Sequence, residues 1–399
     1  MNDAVGTTVT VFAIDTGPRM LERGFPPPAP NGGDGRIRGR EAAMVTEIGR
    51  ETAVASAIER SSARDVARLA GVSTATVSRA LNLPDAVDPA TLSRVQAAIA
   101  KLRYVPHGAA RALRSQRSDM IGAVVPSFDY ALYARTTSAL QREADDRGYA
   151  LVLAAHHYDL STEVRVTQQM IQHGVDAFVF VGLDHDRALY SLLERYGKPY
   201  VLTWGVDASG LHPSIGFDNR AATYAMTRYL IDLGHRRFGL ISAPTAGNDR
   251  SRERGAGVRA ALATAGLTLD DDAVRHGPIA LESGSAAMRE LLGRRVRPTA
   301  VIATNDVFAV GAMLACREAG VRIPQDISIT GVDNTDLGAT QTPGLTSIRT
   351  PIVEVGRAAA RQLFARLEGA PAELQQLLPF ELVKRGSTAA PTAAGRRRR

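Results

Sequence analysis

The chain has 399 residues, of which 45% are hydrophobic and 22% charged, with a formal net charge of +7 and a pI near 9.8. That length exceeds a single domain of about 100 to 200 residues, and no run approaches the ~18 consecutive apolar residues of a membrane span. The basic balance permits a polyanionic partner, but only the distribution of charge can point to one.

Residues 1–60 read as a disordered or misannotated N-terminal extension. The stretch GFPPPAPNGGDG from Gly24 to Gly35 is rich in Pro and Gly and has no apolar periodicity, and Met44 is an alternative start. VTVFAI from Val9 to Ile14 is too short for an export signal, and Asp3 stands where a basic start is needed. The single cysteine, Cys316 in MLACREAG, has no internal disulfide partner and reads as a core thiol. Both features fit a cytoplasmic protein.

From Ser61 the texture becomes helical. Ser62-Ala63-Arg64-Asp65 has capping-box form and opens a helix with Val66, Leu69 and Ala70 on one face, which Gly71 breaks. Ser73 caps a second helix carrying Val77 and Leu81. Asp88-Pro89 starts a third, with Leu92, Val95, Ile99 and Leu102 at spacings of three and four. Between Ser61 and Ser118 nine cations stand against three acids, a net +6, so most of the chain's excess lies here.

The stretch ARLAGVSTATVSRALN, Ala67 to Asn82, is unusually small-sided. Helices joined by a glycine turn cross closely only where the residues are small, which accounts for Ala67 and Ala70 against Val72 and Val77. Thr74, Ala75, Thr76, Ser78, Arg79 and Asn82 are left facing outwards. A helix entering a major groove needs short side chains at its start, so that its backbone approaches base edges, and longer donors further along. The same composition would also serve a tight helical hairpin with no DNA function.

After Asp119 short apolar runs alternate with amphipathic segments, the form of βα units in a parallel sheet. Strands are expected at IGAVV from Ile121, ALVLAA from Ala150, AFVFVG from Ala177, YVLT from Tyr200, FGLIS from Phe238, AVIAT from Ala300 and ISITGV from Ile327. About 270 such residues exceed one sheet and predict two doubly wound lobes around a cleft, where small molecules bind. Gly255-Ala256-Gly257-Val258-Arg259-Ala260 mimics a dinucleotide fingerprint, but the polar run NDRSRER precedes it instead of a strand. His156-His157 is no metal pair if both lie on one strand, because neighbours there face opposite ways.

DVARLAGVSTATVSRALN (Asp65 to Asn82) and YVPHGAARALR (Tyr104 to Arg114) resemble the lac-repressor/galactose-repressor family of bacterial transcription regulators, and the resemblance runs on to about Lys384. It implies an all-α helix-turn-helix headpiece plus an α/β two-lobed core like the periplasmic binding proteins, with parallel doubly wound sheets. The expected divisions are a DNA-binding domain at 61–106, a hinge helix at 107–117, an effector-binding and dimerisation core at 118–388 and a disordered basic tail at 389–399. The resemblance puts Thr74, Ala75 and Arg79 on bases and Thr76, Ser78 and Asn82 on phosphates. It makes Leu113 a wedge in the minor groove, flanked by Arg111 and His107, with the kink at a central CG step. His107-Gly108 departs from the commoner Asn-Ala, and Leu83 and Arg103 stand where glycine is usual.

In the core, SRERGAGVRAAL from Ser251 resembles the family's effector segment, making Arg254 a fork for ligand oxygens. Asn305 lies at the carboxyl edge of its sheet and contacts the ligand, while Asp306 caps the following helix. Asp333 would accept from ligand hydroxyls, and Tyr133 supplies an aromatic face. Trp204 either contacts the effector or packs at the lobe junction. The implied protein is a homodimeric repressor on a near-palindromic operator with a carbohydrate effector. It would have no cofactor, no membrane partner and no enzymatic activity; a sugar receptor of the periplasmic-binding type without DNA function is the alternative. No leucine-heptad tail follows Lys384, which speaks against coiled-coil tetramers.

Overall fold

The computed structural model describes residues 61–105 and 117–392. The chain divides into two compact units, a helical headpiece and a larger α/β core.

In the headpiece, helix α1 (Ala63–Ala70) starts at the expected capping box: Ser62 Oγ accepts from the Asp65 amide, and the Asp65 carboxylate accepts from the Ser62 amide at 2.9 Å. Gly71 ends it at φ 66°, the left-handed conformation in which glycine has no Cβ to clash. Helix α2 (Thr74–Asn82) is capped by Ser73, and α3 (Pro89–Leu102) by Asp88 with proline at its first position. Val66, Ala67, Ala70, Val77, Ala80, Val95 and Ala98 form the buried core. Leu69 and Leu81, expected on the buried faces, are 44% and 38% exposed. Alanines occupy the crossing and bring the backbones too close for a leucine, so the longer chains turn outwards.

The two departures from glycine resolve differently. Leu83 closes α2 at φ −142°, ψ 65°, a negative φ open to any residue, and its amide donates to the Arg79 carbonyl at 2.8 Å, so no glycine is needed. Arg103 closes α3 at φ 47°, ψ 38°, where an L-residue is strained.

The core holds two six-stranded sheets. The N-lobe comprises β1 (Met120–Val125), α4 (Ala131–Asp145), β2 (Ala150–Ala155), α5 (Leu160–Gln172), β3 (Ala177–Val181), α6 (Arg187–Arg195), β4 (Tyr200–Thr203) and β5 (Ser214–Gly216). The C-lobe follows with α7 (Asn219–Asp232), β6 (Phe238–Ser242), α8 (Asp249–Thr264), β7 (Val274–His276), α9 (Leu281–Gly293), β8 (Ala300–Ala303), α10 (Asp306–Glu318), β9 (Ser328–Val332), α11 (Asp336–Ala339) and β10 (Thr346–Arg349). The chain then returns to the N-lobe for α12 (Ile352–Leu367) and β11 (Gln375–Leu377), and ends in the C-lobe with β12 (Glu381–Val383). Strand orders are β11-β5-β4-β3-β1-β2 and β12-β10-β9-β8-β6-β7.

Six of the seven expected strands lie inside their sheets, largely buried on both faces and therefore written as continuous apolar runs, while β2 is the partly buried edge of the N-lobe sheet. In the N-lobe, Ile121, Val179 and Val201 pack on Leu140 of α4 and Leu363 of α12, while Phe178, Phe180 and Leu202 pack on Met170 of α5 and Leu189 of α6. In the C-lobe, Val301 and Ile329 face α9 and α10, with Cys316 in that layer, and Leu240 and Ile302 face α7 and α8. Burial pushes the Cys316 thiol up to about 12. The sheets are the expected parallel doubly wound ones with one antiparallel edge, where β12 pairs with β10. One correction concerns the tail. Ala389 is still tied down, its amide donating to Ser328 Oγ and its carbonyl accepting from His235 Nε2 at 2.9 Å.

Arg103→Gly relieves the left-handed strain at the end of α3 but loosens the unfolded chain, leaving a net gain of about 0.5–1 kcal/mol. In the full chain this appears as slower hydrogen exchange in α1 to α3 and unchanged exchange in the core sheets.

Candidate nucleic-acid interface and ligand cleft

Helix α2 is two-faced. Val77 and Ala80 are buried, which turns Thr74, Ala75, Arg79 and Asn82 to solvent, with Thr76 and Ser78 partly covered. Ser73 accepts from the Thr76 amide at 3.1 Å, and the two hydroxyls lie 2.9 Å apart. Asn82 Nδ2 donates to the Ser78 carbonyl at 2.6 Å, so an amide expected on phosphate rests on its own helix here. The Arg79 side chain makes no hydrogen bond or ion pair with the described residues and keeps the full fork of its guanidinium. His107, Arg111 and Leu113 lie outside the described residues.

In the core, Arg254 of α8 is 6% exposed. Its Nε donates to Asn219 Oδ1 at 2.8 Å, one Nη donates to the Thr304 carbonyl at 2.6 Å, and the other lies 3.6 Å from Asp333 Oδ1. The phenol of Tyr130 donates to the second oxygen of Asp333. Asp333 follows β9 at φ 107°, outside the ordinary range of an L-residue. Burial raises the Asp333 carboxyl and the Tyr130 phenol above their usual ranges; Arg254 opposes the rise at Asp333, and the Asp333 charge adds to it at Tyr130.

Tyr133 and Trp204 meet from the N-lobe with ring centroids 5.1 Å apart. The Tyr133 hydroxyl lies 3.2 Å from that of Tyr158, and burial pushes the Tyr133 phenol far up. Trp204 takes up the packing alternative and also stands beside a cavity. It packs with Val125, Tyr130, Val181 and Val355 at the lobe junction, and it also borders a cavity of about 20 Å³ together with Tyr130, Tyr158, Arg250, Arg254 and Asn305. Its indole Nε1 is buried without a hydrogen-bond partner among the described residues. The space suffices for one water-sized group. Beyond it opens a cleft of about 400 Å³ between Pro126, Tyr130 and Tyr158 of the N-lobe and Pro244, Asn248 and Ile279 of the C-lobe.

The cap expected at Asp306 falls on Asn305, which also borders the inner cavity. Asn305 caps α10, its Oδ1 accepting from the Phe308 amide at 2.9 Å. Asp306 is fully buried below, accepting from Ser347 Oγ and from the Thr335 amide at 2.6 Å each. Helix geometry decides this: α10 begins at Asp306, so the cap falls one residue earlier.

Sequence reasoning missed Tyr130, Tyr158, Asn219 and Arg250. Arg250 is signalled by its spacing of four before Arg254, which puts both on one face of α8. It is buried, paired with Asp249 at 2.8 Å, and laid against Gly182, where an added Cβ would stand 2.1 Å from its Nη1. The histidine pair also differs from expectation. His156 and His157 follow β2 rather than lying on it, His157 at φ 51°. His156 is buried 3.7 Å from Glu163, and Glu163 also accepts the hydrogen bond of His185 at 2.8 Å. Among the described residues no cluster suited to a metal is found.

Residues 62–107 match the family model "Bacterial regulatory proteins, lacI family", and residues 227–388 match a "Periplasmic binding protein-like domain". The HTH-type transcriptional regulator MalR of Streptomyces coelicolor is 34% identical over 342 residues, 83% of this chain and 98% of that protein. The lac repressor dimer bound to operator and the anti-inducer ONPF superposes with a TM-score of 0.74 at 28% identity, covering 83% of this chain and all of that one. A complex of the transcriptional regulator CelR with cellobiose gives 0.61 at 32% identity, covering 82% of this chain and all of that one.

His156 sets a pH dependence of the core. Burial lowers it to about 4 against the pull of Glu163, so the folded state holds it neutral while the unfolded chain takes a proton below about 6.5. Stability is then present above that value and lost as the pH falls from about 6.5 towards 4, by about 2 kcal/mol between pH 7 and pH 5. Urea unfolding of the core at the two pH values measures it, and His156→Gln flattens the slope. His235, also lowered by burial, leaves a residual dependence of the same sign.

Proposed function

Since the chain belongs to the lacI family of bacterial regulatory proteins, we propose that it is a homodimeric, sequence-specific transcriptional repressor whose operator affinity is set by a neutral carbohydrate held between its lobes. The observation that carries the DNA-binding part is helix α2, anchored by Val77 and Ala80 and presenting Thr74, Ala75 and an unengaged Arg79. Short side chains let the helix start sink into a major groove, and Arg79 is the residue suited to a bidentate contact with guanine O6 and N7. Thr76, Ser78 and Asn82 serve phosphates, Asn82 by releasing the Ser78 carbonyl. The hinge acts through Leu113 as a wedge beside Arg111 and His107, and two-fold symmetry pairs with a near-palindromic operator.

Charge balance supports a neutral ligand. Arg254 faces Asp333 and Arg250 faces Asp249, so neither buried cation is left to compensate an anion. Tyr130, Tyr158 and Ile279 give the cleft apolar walls for the faces of a sugar ring, and Asp333 accepts from hydroxyls. The cellobiose complex of a relative agrees with this class. Its relatives are regulators, and no reaction is assigned to the cleft. No helix among the described residues is long and apolar enough to cross a membrane. Control follows if the ligand binds the operator-competent and operator-incompetent states unequally.

In vitro selection from random duplexes with the purified protein yields a near-palindromic site. Arg79→Ala loses about 1–3 kcal/mol of discrimination at one base pair in each half-site, while the salt slope of binding is largely kept. Selection that recovers no preferred sequence contradicts the DNA-binding reading. A thermal-shift screen of neutral sugars against sugar phosphates and nucleobases tests the ligand class: a neutral sugar raises the melting temperature, and Arg254→Ala abolishes the response.

A further inference from the structure

We propose that Tyr130 is a built-in occupant of the ligand cleft: its phenol takes the place of a ligand hydroxyl on Asp333, ties the two lobes at the cleft and must be displaced for an effector to bind. The proposal rests on the reading of the cleft as a ligand site, but its test needs neither ligand nor DNA.

Tyr130 stands immediately before α4 in the N-lobe, and Asp333 immediately after β9 in the C-lobe. They are 203 positions apart in sequence and directly hydrogen-bonded, with 8% and 4% of their surfaces exposed. The backbone at Asp333 is held at φ 107° and that of Asn334 at φ 50°, a conformation that persists only where the surroundings impose it. Here it directs a carboxylate into the gap between the lobes. Arg254 approaches no nearer than 3.6 Å, and Asp333 Oδ1 has no hydrogen-bond partner among the described residues. The phenol therefore supplies the close donor that this carboxylate needs.

Position supports displacement rather than a permanent tie. Tyr130 borders both the outer cleft of about 400 Å³ and the inner cavity of about 20 Å³, so its ring forms part of the partition between them. A ligand in the outer space reaches Asp333 by moving the ring. Only a group that can donate a hydrogen bond to the carboxylate replaces the phenol without loss, which selects hydroxyl-bearing ligands and rejects carboxylates and phosphates. Other direct links also join the lobes, the buried Asn219 amide donating to the Trp204 carbonyl at 2.8 Å and the partly exposed, two-pronged pair of Arg252 with Asp184 at 2.7 Å, so the phenol adds to the junction at the cleft itself.

The test is hydrogen exchange by mass spectrometry on the ligand-free full-length protein and its Tyr130→Phe variant, which keeps the ring and loses the hydroxyl. Loss of one hydrogen bond to a charged group raises the open population roughly tenfold, so segments 126–134, 302–308 and 331–336 exchange roughly tenfold faster while α12 and the centres of both sheets stay as they were. Acrylamide quenching of Trp204, the single tryptophan, rises in parallel. Asp333→Ala also unpairs Arg254 and accelerates exchange at the cleft further, but in that background Tyr130→Phe adds nothing. Unchanged exchange at the cleft, or acceleration spread evenly over the whole core, overturns the proposal; either result leaves the DNA-binding reading standing.

Discussion

A guanidinium removed from water has to be surrounded by acceptors, and the junction between the two lobes is organised around that requirement at Arg254. Its partners come from separate places: Asn219 at the start of α7, Thr304 at the end of β8 and Asp333 after β9. Asn219 in turn donates to the Trp204 carbonyl at 2.8 Å, which carries the arrangement across to the N-lobe. Thr223 accepts this role from the other side, its hydroxyl donating to the Arg254 carbonyl at 2.7 Å. The close approach of α7 and α8 that this needs is permitted by Gly257, where an added Cβ would stand 2.2 Å from the Arg220 carbonyl oxygen. One charge thus fixes two helices and the ends of two strands.

The headpiece solves a different problem with different means. It has too few residues for a large core and relies on alanines that let short helices touch, with caps at Ser62, Ser73 and Asp88 satisfying the free amides. The outward face of α2 is then available for polar side chains without cost to packing. In the core the same polar residue types are buried, and each must find a partner inside the protein. The contrast explains why Arg79 is exposed and unengaged whereas Arg254 and Arg250 are enclosed and paired.

Much of this could be read from the chain. The three headpiece helices carry their own start and stop signals, and the central strands are apolar on both faces, so periodicity and length identify them. The shortest strands are not legible: β7, β11 and β12 at sheet edges and β5 between β4 and β11 are three residues each and only partly apolar, and pairing rather than composition makes them strands. Arg254, Asp333, Trp204 and Tyr133 were reachable because each follows a recognisable strand or a characteristic helical run. Tyr130 was not, since a tyrosine beside a helix start says nothing of a carboxylate 203 residues away. The placing of the α10 cap on Asn305 instead of Asp306 turns on a single residue of helix boundary, which is the least legible quantity in a sequence.

The C-terminal return of α12 and β11 to the first lobe has a consequence for synthesis. On the ribosome the headpiece is complete before residue 120 has been made, and the helices of the second lobe follow in order. The first lobe, begun early, lacks one covering helix and the strand that pairs with β5 until residues 352–377 emerge. Its β5 edge and the apolar surface later covered by Ala358, Leu363 and Phe364 stay open through most of translation. Premature termination anywhere in that interval releases a chain with a finished headpiece and an unfinished, adhesive lobe.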